Sequence, residues 1–152
     1  MPDATPEVVL AFDFGLRRIG VAIGDTLTGR ARPLQAVQSN GSLNDADWQS
    51  IGALLRQHGA HRIVVGCPYN VDGSAHALTV QARDFARSLG ERSALPVHLV
   101  DERYSSLEAE QALRERRAAG TRRARIDREA IDSAAAAVIL ERWFAGEGEQ
   151  RA

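Results

Sequence analysis

The sequence predicts an α/β domain built on a mixed five-stranded sheet, with elements in the order β-β-β-α-β-α-β-α-α. Three observations carry this. Short apolar runs near the N-terminus are separated by turn signals, as an antiparallel meander requires. From residue 43 onward, apolar residues at helical spacing alternate with single apolar strands. Helical crossovers of that kind imply strands parallel to the first.

Val8-Val-Leu-Ala-Phe12 is a continuous apolar run closed by Asp13, the pattern of a strand buried on both faces. Gly15 to Arg18 reads as a turn and Ile19-Gly-Val-Ala-Ile23 as the second strand. Thr26 to Gly29 is a further turn, leading to a weaker third strand near Pro33 to Val37. Leu43 to His58 places Trp48, Ile51, Leu54 and Leu55 on one helical face. Arg62 to Val65 is a strand, Ala75 to Leu89 a helix with Ser74 as its N-cap, and Val97 to Val100 a strand. Two helices follow, near Ser106 to Ala118 and Asp127 to Phe144. Residues 1–145 therefore form one domain, and 146–152 read as a frayed tail.

Composition narrows the function classes. The chain has 152 residues, 44% of them hydrophobic and 26% charged, which suits one globular core and argues against disorder. A net charge of −1 excludes nucleic-acid binding by bulk positive charge but leaves room for a basic patch. All 19 basic side chains are arginine, which forks bidentately onto phosphate. The single cysteine, Cys67, excludes an internal disulfide, and four scattered histidines show no paired metal-ligand spacing. The acidic, polar start is no secretory signal, and the longest apolar run, Ala134 to Leu140, is too short to span a bilayer. The expectation is a soluble cytoplasmic protein with no membrane partner.

The carboxylates carry the chemical signal. Asp13 ends one apolar strand and Asp101-Glu102 ends another, and in parallel strands both fall at the carboxyl edge, where open α/β sheets bind ligands. Alternation sends Asp101 and Glu102 to opposite faces, so only one of them serves a common site. Asp132 shares its helix face with Ala135, Ala136, Ile139 and Trp143, an apolar stripe that should meet the sheet. A carboxylate there needs a partner, and a divalent cation shared with Asp13 and one strand-end acid provides it. A lone strand-end acid is more often a turn cap, so the argument rests on convergence.

Four motifs sharpen this. Asp13-Phe-Gly-Leu-Arg-Arg-Ile-Gly-Val-Ala22 resembles the opening motif of the YqgF/RuvX family. Gly66-Cys-Pro-Tyr-Asn-Val-Asp-Gly73 resembles its Gly-x-Pro loop, Asp101-Glu-Arg-Tyr-Ser-Ser106 its Asp-Glu-Arg signature, and Ile131-Asp-Ser-Ala-Ala135 its final helix. They occur in the family's order and cover nearly the whole chain. The resemblance implies an RNase H-like fold and a nuclease of the RuvC type that matures the 5′ end of pre-16S rRNA. It assigns the acidic triad to Asp13, Glu102 and Asp132, with Asp101 turned away. Cys67 and Tyr69 replace leucines common in the loop and Ser106 a common threonine; none touches an acid.

The chemistry implied is phosphodiester hydrolysis assisted by Mg²⁺ or Mn²⁺, two ions in all, held by these three acids. Free N–H groups at the start of the helix after the Gly66–Gly73 loop could take a phosphate, an ordinary loop fitting equally; His76 could reach a phosphate, but a histidine there is more often just an exposed helix residue. Seven arginines and two acids between Arg114 and Arg128 give a local excess of five positive charges. Arg122, Arg123 and Arg125 lie on the approach to Asp132, while Arg17, Arg18 and Arg103 adjoin the other two acids. These six are the expected phosphate contacts, supplying affinity without sequence information. Trp48 and Trp143 fit core positions better than RNA stacking. The partner is nucleic acid, either pre-rRNA within ribosomal precursor particles or a DNA four-way junction. Two rivals stand beside a nuclease: a catalytically silent RNA-binding assembly factor, and a sugar-kinase-like ATPase, which one domain of this length does not accommodate.

Overall fold

The computed structural model describes residues 5–39, 42–68, 76–101, 124–146 and 149–150, with the backbone alone for 124–132 and 149–150. The helix expected over Ser106–Ala118, the proposed cap Ser74 and most of the Gly66–Gly73 loop lie outside the described residues.

Strands β1 (Val8–Asp13), β2 (Arg18–Asp25) and β3 (Ala31–Gln38) form the expected meander. Helix α1 (Asp45–His58) leads to β4 (Arg62–Cys67), and α2 (Ala77–Ser93) to β5 (Val97–Asp101). β4 pairs parallel to β1, and β5 parallel to β4. Helix α3 (Ala124–Phe144) follows, then β6 (Glu149–Gln150), giving the sheet order β3-β2-β1-β4-β5-β6.

Each element has a local cause. β1 is the central strand; Val9 to Phe12 are wholly buried because helices cover both its faces. Pro33 removes a backbone donor and is tolerated because β3 is an edge. Asn44 caps α1, its Oδ1 accepting from Asp47 N at 2.8 Å while Asp47 Oδ2 accepts from Asn44 N at 3.0 Å. Gly59, at φ 61°, stops that helix in the left-handed region.

Three boundaries differ from the sequence reading. α2 starts at Ala77, not Ala75, because His76 is its cap: Nδ1 accepts from Leu78 N at 3.3 Å, and Thr79 Oγ1 accepts from His76 N at 3.1 Å. α3 begins at Ala124 rather than Asp127, so Arg125 belongs to its first turn instead of the preceding loop. Two residues of the expected tail, Glu149 and Gln150, pair antiparallel with β5 and add a sixth strand, because β5 would otherwise leave its edge hydrogen-bonding groups open.

The sheet separates two cores. Leu10, Phe12, Ile19 and Val21 pack under α1 and α2 around Phe85, which stacks with Trp48 at 5.7 Å between ring centroids. Val9, Ala11, Ala22, Val64 and Val100 meet Ala136, Ile139 and Leu140 of α3. The apolar stripe expected for α3 is therefore the face that docks, with Leu140 added to it. Among the described residues no helix is long and apolar enough to cross a membrane.

At the opposite edge from the strand-end acids, Arg62 Nε donates to Glu7 Oε1 at 2.7 Å. That hydrogen bond and the charge behind it hold the Glu7 carboxyl below its usual range. The stabilisation is complete above the ordinary glutamate pKa and disappears as pH falls through the lowered value. Glu7→Gln should flatten that part of the acid limb in melting curves taken across pH. An unchanged limb means the pair contributes nothing.

Candidate functional site

Asp13 is the last residue of β1, and its cross-strand neighbours are Gly20 on β2 and Gly66 on β4. Residues paired across a sheet project to the same face, and Val100, opposite Gly66, belongs to the α3 core. Asp13 therefore faces the α3 side, and its register partner on each adjoining strand is a glycine. The residue is half-buried, and the two glycines paired with it are buried. Thr79, fully buried, donates from its hydroxyl to the Pro68 carbonyl and ties the end of β4 to α2.

Asp101 ends β5 in register with Cys67, whose side chain lies in the α1/α2 core. It thus sits on the face opposite Asp13, as alternation requires. Glu102 lies outside the described residues. Asp132 is described by its backbone alone, inside α3. The next residue locates that backbone: Val21 N donates to Ser133 Oγ at 3.4 Å, and Val21 adjoins Gly20, the neighbour of Asp13. The structure thus brings the 132–133 backbone of α3 over the strand pair that carries Asp13. Among the described residues no three histidine, cysteine or acidic side chains gather round one point.

The turn between β1 and β2 explains the glycine of the opening motif. A Cβ on Gly15 would lie 2.6 Å from the Arg18 carbonyl oxygen, so only glycine lets the chain turn this tightly. Arg17 is exposed on that turn, and its carbonyl accepts from Ser39 N at 2.8 Å. Arg18 is half-buried at the start of β2 and is already engaged with neighbours. Arg103, Arg122 and Arg123 lie outside the described residues, and Arg125 is placed by backbone only, two turns before Asp132.

Sequence reasoning missed Gly20, Gly66 and Ser133 as parts of the site. The glycines become visible only once the pairing register is known. Ser133 had a signal: it precedes Ala136, Ala137 and Leu140 by three, four and seven residues, a polar residue on a helix stripe that is otherwise apolar.

The donor chemistry suits a hard cation. Asp13 offers carboxylate oxygen at the strand end, and the nearby thiol, Cys67, is buried on the other face. Oxygen ligands with room for water or phosphate are what Mg²⁺ and Mn²⁺ prefer.

Known proteins agree with this architecture. The model of the RuvX family, described as a Holliday junction resolvase, matches residues 7–146. A protein of Edwardsiella ictaluri named "Putative pre-16S rRNA nuclease" is 48% identical over 139 residues, covering 91% of this chain and 95% of that one. Its namesake from Xanthomonas axonopodis pv. citri is 46% identical over 144 residues, covering 95% and 89%. Among solved structures, Thermus thermophilus RuvC in complex with a Holliday junction substrate superposes with a TM-score of 0.54 at 18% identity, covering 95% of this chain and 99% of RuvC. The last likeness shows the RuvC-like, RNase H-type fold expected from the motifs. With a family model spanning nearly the whole chain and relatives close to half identical, the chain belongs to the RuvX family.

Proposed function

We propose that this protein is a metal-dependent nuclease that hydrolyses phosphodiester bonds at the 5′ end of pre-16S rRNA, acting on ribosomal precursor particles in the cytoplasm. The observation that carries the reading is Asp13 at the carboxyl end of the central strand, on the sheet face covered by the helix that bears Asp132. The substrate is that of the curated relatives' names.

In this reading Asp13, Glu102 and Asp132 hold Mg²⁺ or Mn²⁺, two ions in all. A cation held there would supply charge neutralisation at the leaving oxygen and acidify the attacking water. Arg17, Arg18, Arg103, Arg122, Arg123 and Arg125 hold the flanking phosphates and set the strand's path without reading its sequence.

The test incubates purified protein with Mg²⁺ or Mn²⁺ and three substrates: RNA carrying the pre-16S 5′ leader, a four-way DNA junction and an unstructured strand. The expected products come from the leader RNA, carry 5′-phosphate and 3′-hydroxyl ends, and vanish in excess EDTA. Preferred cutting of the junction would favour the resolvase activity that the family description names. Binding without cleavage of any substrate would identify a silent assembly factor.

Reversing charge at Arg122, Arg123 and Arg125 together should weaken nucleic-acid binding and leave the fold intact. Each lost phosphate contact should lower the salt slope by roughly 0.7–0.9. Salt titrations followed by fluorescence anisotropy measure this. An unchanged affinity and slope would mark the arginines as a solvated face.

A further inference from the structure

We propose that the Ser133 hydroxyl is a positioning device for the acidic site, a hook that fixes α3 to β2 at the level of Asp13. The inference rests on the metal-site reading above and adds a residue to it. Ser133 is 3% exposed, and its Oγ accepts from Val21 N at 3.4 Å across 112 residues of chain. The hook falls where the β2–β3 ladder shifts register, so that Gln35 and Ala36 oppose the single residue Gly20. Such a bulge re-aims backbone groups at one point in a sheet.

Side-chain packing alone specifies this end of the helix poorly. Ala136 packs on a sheet face whose residues on β1 and β2 include Ala11 and Ala22, so small residues lie against small residues on these two strands. Smooth surfaces let a helix approach closely but offer few knobs to stop it sliding or rolling. A directional bond to a fixed strand amide supplies the missing register, one residue from Asp132 and one from the cross-strand partner of Asp13.

A second hook provides an internal control. Glu141 Oε2 accepts from Ala31 N at 3.0 Å, eight residues further along α3, which is about 12 Å. It fastens the same helix to the sheet away from the acids. Both hooks stabilise docking, but only the Ser133 hook sets the distance between the elements bearing Asp13 and Asp132.

Titration calorimetry of Mn²⁺ into the full chain separates the two roles. Ser133→Ala should bind Mn²⁺ about 10–100-fold more weakly than wild type, the usual cost of losing a group that orients metal ligands. Glu141→Ala should lower the melting temperature and leave Mn²⁺ affinity within about twofold. Equal affinity in Ser133→Ala and wild type overturns the positioning role alone, as does an equal loss in Glu141→Ala. Wild type that takes up no Mn²⁺ overturns the metal reading itself, and the hook's role with it. Should Ser133→Ala fail to fold, hydrogen exchange in wild type decides: saturating Mg²⁺ should slow the Val21 amide at least tenfold more than the Ala31 amide. Equal protection of the two amides would defeat the proposal.

Discussion

Asp13→Asn should abolish cleavage, lowering the rate by at least about a thousandfold, while leaving the apo protein as stable as wild type or more so. The rate falls because an amide cannot share a cation's charge as a carboxylate does, and preorganised charge at a reacting phosphate accounts for losses of this size. Stability moves the other way because acids gathered at one site repel one another without a cation. Wild type should gain RT ln(1 + [L]/Kd) on adding Mg²⁺ or Mn²⁺, about 2.7 kcal/mol at a hundred times Kd. In a chain of this length that is roughly 5–10 °C in Tm. Asp13→Asn and Asp132→Asn should lose most of that gain. Were both acids hydrogen-bonded caps, the variants would melt lower and metal would shift all three proteins alike. Melts at matched ionic strength, run beside the cleavage assay, distinguish the two patterns.

The elements that carry the acids were legible because hydrophobic patterning is local. The run Val8 to Phe12 announces a doubly buried strand ending at Asp13, and the spacing of Ala135, Ala136 and Ile139 shows which face of α3 docks. The period of two along a strand allows only one of Asp101 and Glu102 to serve the site; that Asp101 is the one turned away is what the resemblance implies, and its register with Cys67 places it on the face opposite Asp13. What the sequence hid depends on pairing between distant segments. That Gly20 and Gly66 flank Asp13 requires the register of three strands, which no single segment encodes. Ser133 gains its role only from a bulge in a ladder more than ninety residues earlier. His76 was missed as a cap because Ser74 is the better-known capping residue, although an imidazole nitrogen accepts the same bond. Trp48, read as a core position rather than an RNA-stacking one, packs half-buried against the core, with the Arg92 guanidinium 4.4 Å from its ring centroid.

Two glycine-to-alanine changes should act in opposite directions. On Gly24 of β2 a Cβ would stand 2.4 Å from the Arg30 carbonyl oxygen, 2.8 Å from Phe144 Cε2 and 3.2 Å from Leu140 Cδ2. The nearest of these is backbone, held in the turn that Gly29 closes at φ 67°, so it cannot step aside as a side-chain tip would. Phe144 and Leu140 press from α3, so relief in that direction lifts the helix off the sheet. Gly24→Ala should therefore cost about 1–3 kcal/mol, the usual penalty for forcing atoms into a filled core. That is roughly 2–12 °C in a chain of this size. On Gly52, inside α1, a Cβ would meet only the Arg56 guanidinium, at 3.2 Å, and a long side chain on the helix surface can swing away. There the loss of glycine's backbone freedom dominates, and Gly52→Ala should stabilise by about 0.8–1 kcal/mol. Thermal melts of both variants test the packing directly. A Gly24→Ala protein melting at or above wild type would mean that α3 does not approach β2 as closely as Leu140 and Phe144 indicate, and the hook at Ser133 would lose the close contact on which it depends.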